Sequence, residues 1–126
     1  MEGRDPLTEL VIGAAIEVHR TLGPGLLESV YEQCLSYELR LRGIEHVNQA
    51  ALPVVYKGAT LDAHFFMDIV LPGKLVIELK TVEKLLPIHE AQLLTYMKLS
   101  KIGLGLLLNF NVPLLKDGIK RMILSA

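Results

Sequence analysis

The sequence has few residues that could build a covalently linked or cysteine-based metal scaffold. It contains one cysteine, Cys34, and no tryptophan. A single cysteine excludes a disulfide within the chain, and it excludes four-cysteine zinc and iron–sulfur sites in one chain. Cys34 lies at helical spacing from Leu27, Val30 and Tyr31, and we therefore expect it to be a core residue.

Long hydrophobic runs are also absent. The run from Ile102 to Leu108 is far shorter than the roughly 20 apolar residues that span a bilayer, and residues 1–5 lack the apolar segment of a signal peptide. We therefore expect a soluble cytoplasmic protein with no membrane partner. Because 51% of the 126 residues are hydrophobic, we predict one domain with a sizeable core over residues 1–126.

The net charge of −1 gives no overall indication of a nucleic-acid partner. The charges are unevenly distributed, since residues 1–69 contain ten acidic and five basic residues, whereas residues 70–126 contain four acidic and eight basic ones. This asymmetry is weak support for an anionic partner, because charged runs are usually solvated faces.

Hydrophobic spacing predicts the element order α-α-β-β-β-α-β. Helices are predicted from apolar residues three and four apart over about 7–22, 26–42 and 87–100. Strands are predicted from β-branched and apolar runs over about 52–56, 60–70, 74–80 and 103–110. Pro53 favours an edge position for the first strand, and the tail around Ile119 to Leu124 fits either a last edge strand or a short helix. The order predicts an α/β fold, a mixed sheet with helices on both faces.

Charged residues in two neighbouring predicted strands form the candidate site. Asp68 belongs to one strand; Glu78 and Lys80 belong to the next and share a face, because strand side chains alternate. The carboxylates and the Leu79 carbonyl are oxygen ligands that suit Mg²⁺ or Mn²⁺, and Lys80 could hold a water or stabilise charge on a phosphate. Alternatively, Lys80 forms a salt bridge that closes a buried strand end. The spacing fits both interpretations.

The turn between these strands decides whether the two acids share a face. A two-residue loop at Pro72-Gly73 would place Asp68 opposite Ile77 and send the Asp68 and Glu78 side chains to opposite faces. A three-residue loop with a positive φ at Gly73 would bring them together. The metal-site hypothesis therefore predicts an irregular turn.

Several motifs together resemble a known family. The segment Gly25-Leu-Leu-Glu28-Ser-Val-Tyr31 matches the motif of the GxxExxY proteins. Asp68 with Glu78-Leu79-Lys80 resembles the D…(D/E)XK signature of the PD-(D/E)XK nuclease superfamily. The likeness continues through 89–96 and 109–118 and covers nearly the whole chain.

This resemblance implies a restriction-endonuclease-like αβββαβ core that hydrolyses phosphodiester bonds. The metal ligands it implies are Glu28, Asp68, Glu78 and the Leu79 backbone carbonyl, around Mg²⁺ or Mn²⁺. The catalytic residues it implies are Asp68, Glu78, Lys80, Gln92 and Tyr96. In this scheme Lys80 assists the attacking water. Gln92 and Tyr96 match a QxxxY motif on one helix face and support the site or contact nucleic acid.

The expected function is therefore a metal-dependent nuclease that acts on DNA in preference to RNA, as a homodimer or with a protein partner. The alternative is a non-catalytic nucleic-acid-binding or protein-interaction domain that retains the nuclease fold. Glu28, Gln92 and Tyr96 also have ordinary interpretations, as an acid at a helix N-terminus, a solvated polar residue and a core aromatic. A basic surface beside the acids would favour nucleic acid, and its candidates are Lys84, Lys98 and Lys101.

Overall fold

A computed structural model of the chain describes residues 5–124. Residues 1–4, which belong to the N-terminus predicted to lack a signal peptide, and residues 125–126 lie outside the described residues. The helices are α1 (Pro6–Leu22), α2 (Glu28–Leu41) and α3 (Pro87–Ser100). The strands are β1 (Val47–Tyr56), β2 (Ala59–Leu71), β3 (Leu75–Lys80), β4 (Leu104–Asn109) and β5 (Ile119–Ile123), with a 3₁₀ turn at Leu115–Gly118 before the last strand.

The predicted element order and the α/β class are confirmed. Pro87 is the first residue of α3, where its missing N–H has no helical partner to lose. The tail forms a strand, and β1 begins at Val47, earlier than the predicted start at Leu52. The early part of β1 lacks the apolar alternation of a strand, and its pairing with β2 makes it one.

The five strands form one mixed sheet in the order β1-β2-β3-β4-β5. Strands β3 and β4 are parallel, and α3 connects them; every other neighbouring pair is antiparallel. Pro53 therefore lies on an edge strand, as predicted, where its lack of an N–H removes no bond from the interior of the sheet.

The sheet separates two hydrophobic clusters. Ile77 and Leu79 pack with the apolar faces of α1 and α2, whereas Val76 packs with Leu93 and Met97 of α3. Alternation along β3 therefore assigns Glu78 to the side of α3. Cys34, expected in the core, is half-buried and packs against the first cluster. No helix within residues 5–124 combines the length and the apolar character that crossing a membrane requires.

Tyr31 fixes the chain at the start of α2. Its side chain is fully buried and stacks on Phe110, with 4.5 Å between the ring centroids. The hydroxyl donates to the Gly23 carbonyl and accepts the Leu26 N–H at 3.2 Å. Two backbone groups of the glycine-rich turn are thereby satisfied, and the position of Glu28 at the first turn of α2 follows from this anchor.

The Tyr31→Phe variant is expected to lower the free energy of unfolding by about 1–3 kcal/mol, because the two hydrogen bonds of the Tyr31 hydroxyl, each worth about 0.5–1.5 kcal/mol, are lost. Urea denaturation followed by circular dichroism measures the change. Tyr37→Phe is the matched control on the same helix, since Tyr37 is 56% exposed, and its effect is expected to stay within about 0.5 kcal/mol. Equal losses in both variants would contradict the anchoring role of the Tyr31 hydroxyl.

Candidate active site

The β2–β3 turn has the three-residue loop that the metal-site hypothesis requires. Leu71 pairs with Leu75, so the loop consists of Pro72, Gly73 and Lys74. The Lys74 N–H donates to the Leu71 carbonyl at 2.8 Å, and Gly73 has a φ of 72°, which side chains rarely adopt. The pairing of β2 with β3 ends at Ile69 opposite Ile77, and one further residue of the same register brings Asp68 to the level of Glu78.

Strands β2 and β3 separate at Asp68 and Glu78. Hydrogen bonds from backbone N–H groups to the two carboxylates replace the bonds between the strands at this point. The Asp68 N–H donates to Glu78 Oε2 at 2.9 Å, and the Leu79 N–H donates to Asp68 Oδ2 at 2.9 Å. The Leu79 carbonyl leaves the strand on the same side as its N–H. Two carboxylates and one backbone carbonyl are thus directed toward the opening between β2 and β3.

Glu78 carries an electrostatic penalty at this opening. Its side chain is 4% exposed, and its pKa is raised to about 8, first by burial and then by the nearby Asp68 carboxylate. The Asp68 N–H and the Lys80 ammonium lower the pKa of Glu78 only in part. A buried carboxylate beside a second carboxylate is an arrangement that a bound cation stabilises.

Glu28 reaches the same electrostatic environment from α2. It is half-buried, and its pKa is raised first by burial and then by Asp68, with Lys80 acting in the opposite direction and Glu32 adding to the rise. Because Glu28 is the first residue of α2, the helix dipole also favours its charge. Glu28 is therefore both an acid at a helix N-terminus and an acid near the candidate site.

Lys80 lies at the end of β3, half-buried, and its ammonium donates to Gln92 Oε1 at 3.3 Å. Within the described residues 5–124, the ion pairs join Arg20 to Glu17, Arg42 to Glu38 and Arg121 to Glu9, and none includes Lys80. Within these residues, Lys80 therefore does not form the salt bridge that the alternative interpretation required.

Gln92 and Tyr96 occupy one side of α3 with different surroundings. Gln92 is exposed and contacts Lys80. Tyr96 is 6% exposed and packs on Phe65, with 5.3 Å between the ring centroids. Its pKa is raised first by burial and then by Glu78 and Asp68, so Tyr96 is a core aromatic whose hydroxyl lies within the influence of the acids.

A cavity of about 430 Å³ lies between the end of β3 and α3. Its lining consists of Lys80, Ile88, His89, Ala91, Gln92 and Thr95. Ile88 is 68% exposed, so apolar surface adjoins the Lys80 ammonium at this cavity. The three lysines considered for a basic surface are all exposed: Lys84, Lys98 and Lys101.

Three polar residues support the site without having been assigned a role in it from the sequence: Glu32, Gln49 and Asn109. Gln49 donates to both Glu32 and Asp68, at 2.8 Å and 3.3 Å. Asn109 is 1% exposed, pairs with Lys80 across the β3–β4 register, and holds the N–H and carbonyl of Val82. Asn109 begins the segment 109–118, which carries part of the family resemblance, and it interrupts an apolar run, but no sequence signal distinguishes Gln49 or Glu32.

The donors at the opening suit a magnesium-like ion in type and number. In the part of the chain that the structure describes, no three His, Cys, Asp or Glu side chains come close enough to hold a metal together. Mg²⁺ is usually bound by only one or two carboxylates with waters completing its shell. Asp68, Glu78 and the Leu79 carbonyl meet that requirement, and the raised pKa of Glu78 is consistent with it.

The five-stranded mixed sheet flanked by three helices is consistent with the class of restriction-endonuclease-like domains. A family model described as the PD-(D/E)XK nuclease superfamily matches residues 5–122. Because this match covers nearly the whole chain, the chain belongs to the PD-(D/E)XK nuclease superfamily, and the superfamily expected from the motifs is confirmed. No curated protein and no solved structure is a significant match.

Proposed function

We propose that the protein is a metal-dependent nuclease that hydrolyses phosphodiester bonds, in DNA more than in RNA. The observation that carries the proposal is the opening between β2 and β3, where the Asp68 and Glu78 carboxylates replace backbone pairing beside an ammonium group. The GxxExxY motif, with Gly25, Glu28 and Tyr31, supports placing the chain with the GxxExxY proteins. The preference for DNA rests on Gln92 and Tyr96, which match the QxxxY motif that the exonuclease-like branch of the superfamily uses at its active site and in its DNA contact.

The residues proposed to hold Mg²⁺ or Mn²⁺ directly are Asp68, Glu78 and the Leu79 carbonyl. Glu28 is proposed to complete the metal site through a water, because no three acidic side chains within residues 5–124 come close enough to bind one ion together. When bound, such an ion supplies positive charge near the scissile phosphate and a water of lowered pKa. The chain itself keeps Glu78 away from solvent and fixes its carboxylate with a hydrogen bond from the Asp68 N–H. Ionisation of Glu78 and metal binding are therefore coupled, because the cation offsets the effects that raise the pKa of this carboxyl.

Lys80 is proposed to position the attacking water or to stabilise the charge that develops on the phosphate. Its contact with Gln92 holds the ammonium at the mouth of the cavity without neutralising it, because an amide oxygen is uncharged. Gln92 is proposed to contact nucleic acid beside Lys80. Tyr96 is proposed to support Asp68 and Glu78 from its buried position on α3. Substrate would enter through the cavity of about 430 Å³.

We further propose a homodimer or a protein partner in the cytoplasm. A cavity of about 430 Å³ accommodates only part of a nucleic-acid strand. Additional contacts from a second chain would supply the phosphate contacts on which most nucleic-acid affinity depends.

The function is tested with single-stranded, duplex and branched DNA and with RNA, each incubated with Mg²⁺ or Mn²⁺ and with a chelator. The wild-type protein is expected to cleave only with metal. Lys80→Ala and Asp68→Ala are each expected to reduce the rate at least about 100-fold. The first variant loses charge stabilisation or water positioning at the reacting phosphate, and the second loses a proposed metal ligand. Lys74→Ala, which changes an exposed lysine in the loop just before β3, is the matched control and is expected to keep the wild-type rate.

Equal cleavage by all four proteins would overturn the site assignment. Binding of nucleic acid without cleavage under any metal would support the non-catalytic nucleic-acid-binding alternative. Neither binding nor cleavage would support the protein-interaction alternative.

A further inference from the structure

Gln49 lies directly across from Asp68 in an unusual backbone conformation. The neighbouring pairs are Asn48 with Ile69 and Ala50 with Met67, so the β1–β2 register places Gln49 opposite Asp68. Gln49 has a φ of 49°, inside a strand whose residues ordinarily have negative values. Glutamine is not among the residues that adopt this region readily, and such outliers persist where surrounding contacts hold them.

The contacts that hold Gln49 are two carboxylates. Its Nε2 donates to Glu32 Oε1 at 2.8 Å and to Asp68 Oδ1 at 3.3 Å. One amide nitrogen carries two N–H groups, so it can serve both acceptors at once. The other Asp68 oxygen accepts the Leu79 N–H at 2.9 Å, and the carboxylate is therefore restrained from both sides.

Glu32 is itself fixed and provides an anchor for this amide. Its second oxygen accepts from Asn48 Nδ2 at 3.2 Å, and the Asn48 side chain accepts the Ser36 hydroxyl at 2.8 Å. Ser36 is buried on α2. A row of hydrogen bonds thus connects the interior of α2 to Asp68 through Gln49.

We infer that Gln49 is a positioning residue that orients the Asp68 carboxylate for metal binding and keeps the Glu32 carboxylate apart from it. The inference rests on the proposed metal-dependent function. Groups that hydrogen-bond a metal ligand fix its orientation, and removing them typically weakens metal affinity or activity by about 10- to 100-fold. A neutral donor between two carboxylates also prevents the repulsion that direct contact would produce.

The test is Gln49→Met, which keeps the length of the side chain and removes its donors. Direct Mn²⁺ binding, followed by electron paramagnetic resonance, is expected to weaken about 10-fold or more. The Mn²⁺ concentration for half-maximal cleavage is expected to rise by the same factor, with the rate at saturating Mn²⁺ largely restored. Asp68→Ala is expected to show no such restoration.

The matched control is Lys57→Met, which removes a charge in the turn between β1 and β2. Lys57 is another non-glycine residue with a positive φ, 51°. The Lys57→Met variant is expected to bind Mn²⁺ as the wild type does. If Gln49→Met does not fold, Gln49→Asn replaces it, because asparagine tolerates a positive φ and is too short to span both carboxylates.

Wild-type Mn²⁺ affinity in a folded Gln49 variant would overturn the inference while leaving the nuclease proposal intact. Equal weakening in the Gln49 and Lys57 variants would overturn it as well, because backbone strain would then be the cause. A wild-type protein that neither binds Mn²⁺ nor cleaves would overturn the nuclease proposal and this inference together.

Discussion

At pH 8, Glu78→Gln is expected to be more stable than the wild-type protein and unable to cleave nucleic acid. The wild-type carboxyl is buried beside Asp68, and its pKa is raised to about 8. Glutamine has nearly the same shape, and its amide oxygen can still accept the Asp68 N–H that now binds Glu78 at 2.9 Å. The substitution therefore removes an unfavourable buried charge and keeps the local bond.

The pH dependence follows from the sign of this change. Glu78 titrates near 4.5 in the unfolded chain and near 8 in the folded one, so the unfolded chain loses its proton first. The contribution of the protonated carboxyl to stability is complete below about pH 4.5 and is lost as the pH rises toward 8. At about 1.4 kcal/mol per pH unit, the loss across this window is at most about 5 kcal/mol.

Urea denaturation at pH 5 and pH 8 measures this effect for the wild type, Glu78→Gln and the control Glu83→Gln, whose carboxyl is exposed. The difference in unfolding free energy between wild type and Glu78→Gln is expected to grow with pH, and the control is expected to follow the wild type. Mg²⁺ at pH 8 is expected to stabilise the wild type but not Glu78→Gln. A difference that stays constant from pH 5 to pH 8 would show that Glu78 does not titrate in this window.

Gly118→Ala is expected to destabilise the fold by about 3 kcal/mol, the upper part of the range for overpacked sites. A Cβ at Gly118 would lie 2.2 Å from the Asn109 carbonyl oxygen and 3.1 Å from Val112 Cγ2. The nearer atom belongs to the backbone and cannot rotate away. Asn109 must therefore move, and its side chain holds Val82 just beyond Lys80.

Thermal and urea unfolding measure this loss, and Gly103→Ala is the matched control. A Cβ at Gly103 meets no atom within 4 Å, and neither glycine has a positive φ, so the two substitutions differ chiefly in available space. The control is expected to change stability by no more than about 0.5 kcal/mol. Similar stability of the two variants would mean that the turn after β4 relaxes without resistance.

The accuracy of the sequence predictions differed between particular elements for physical reasons. The start of α3 was predictable because Pro87 acts through its own ring and missing N–H. The start of β1 was not, because Val47 to Ala51 are a strand only through their pairing with β2. Cys34 was expected in the core from helical spacing, but spacing fixes a helix face and not how far the neighbouring layer covers it.

The sequence by itself determined the order of the elements, the nuclease superfamily and the acids and lysine of the candidate site, because each depends on residue type and spacing along one chain. The sequence also showed that the length of the β2–β3 loop decides whether Asp68 and Glu78 share a face. Only the tertiary structure decided that Asp68 and Glu78 bond each other's strands, that burial raises the pKa of Glu78, and that Gln49 restrains Asp68. These features depend on which backbone groups and charges approach across strands and helices, and such distances are set by packing between segments far apart in the chain.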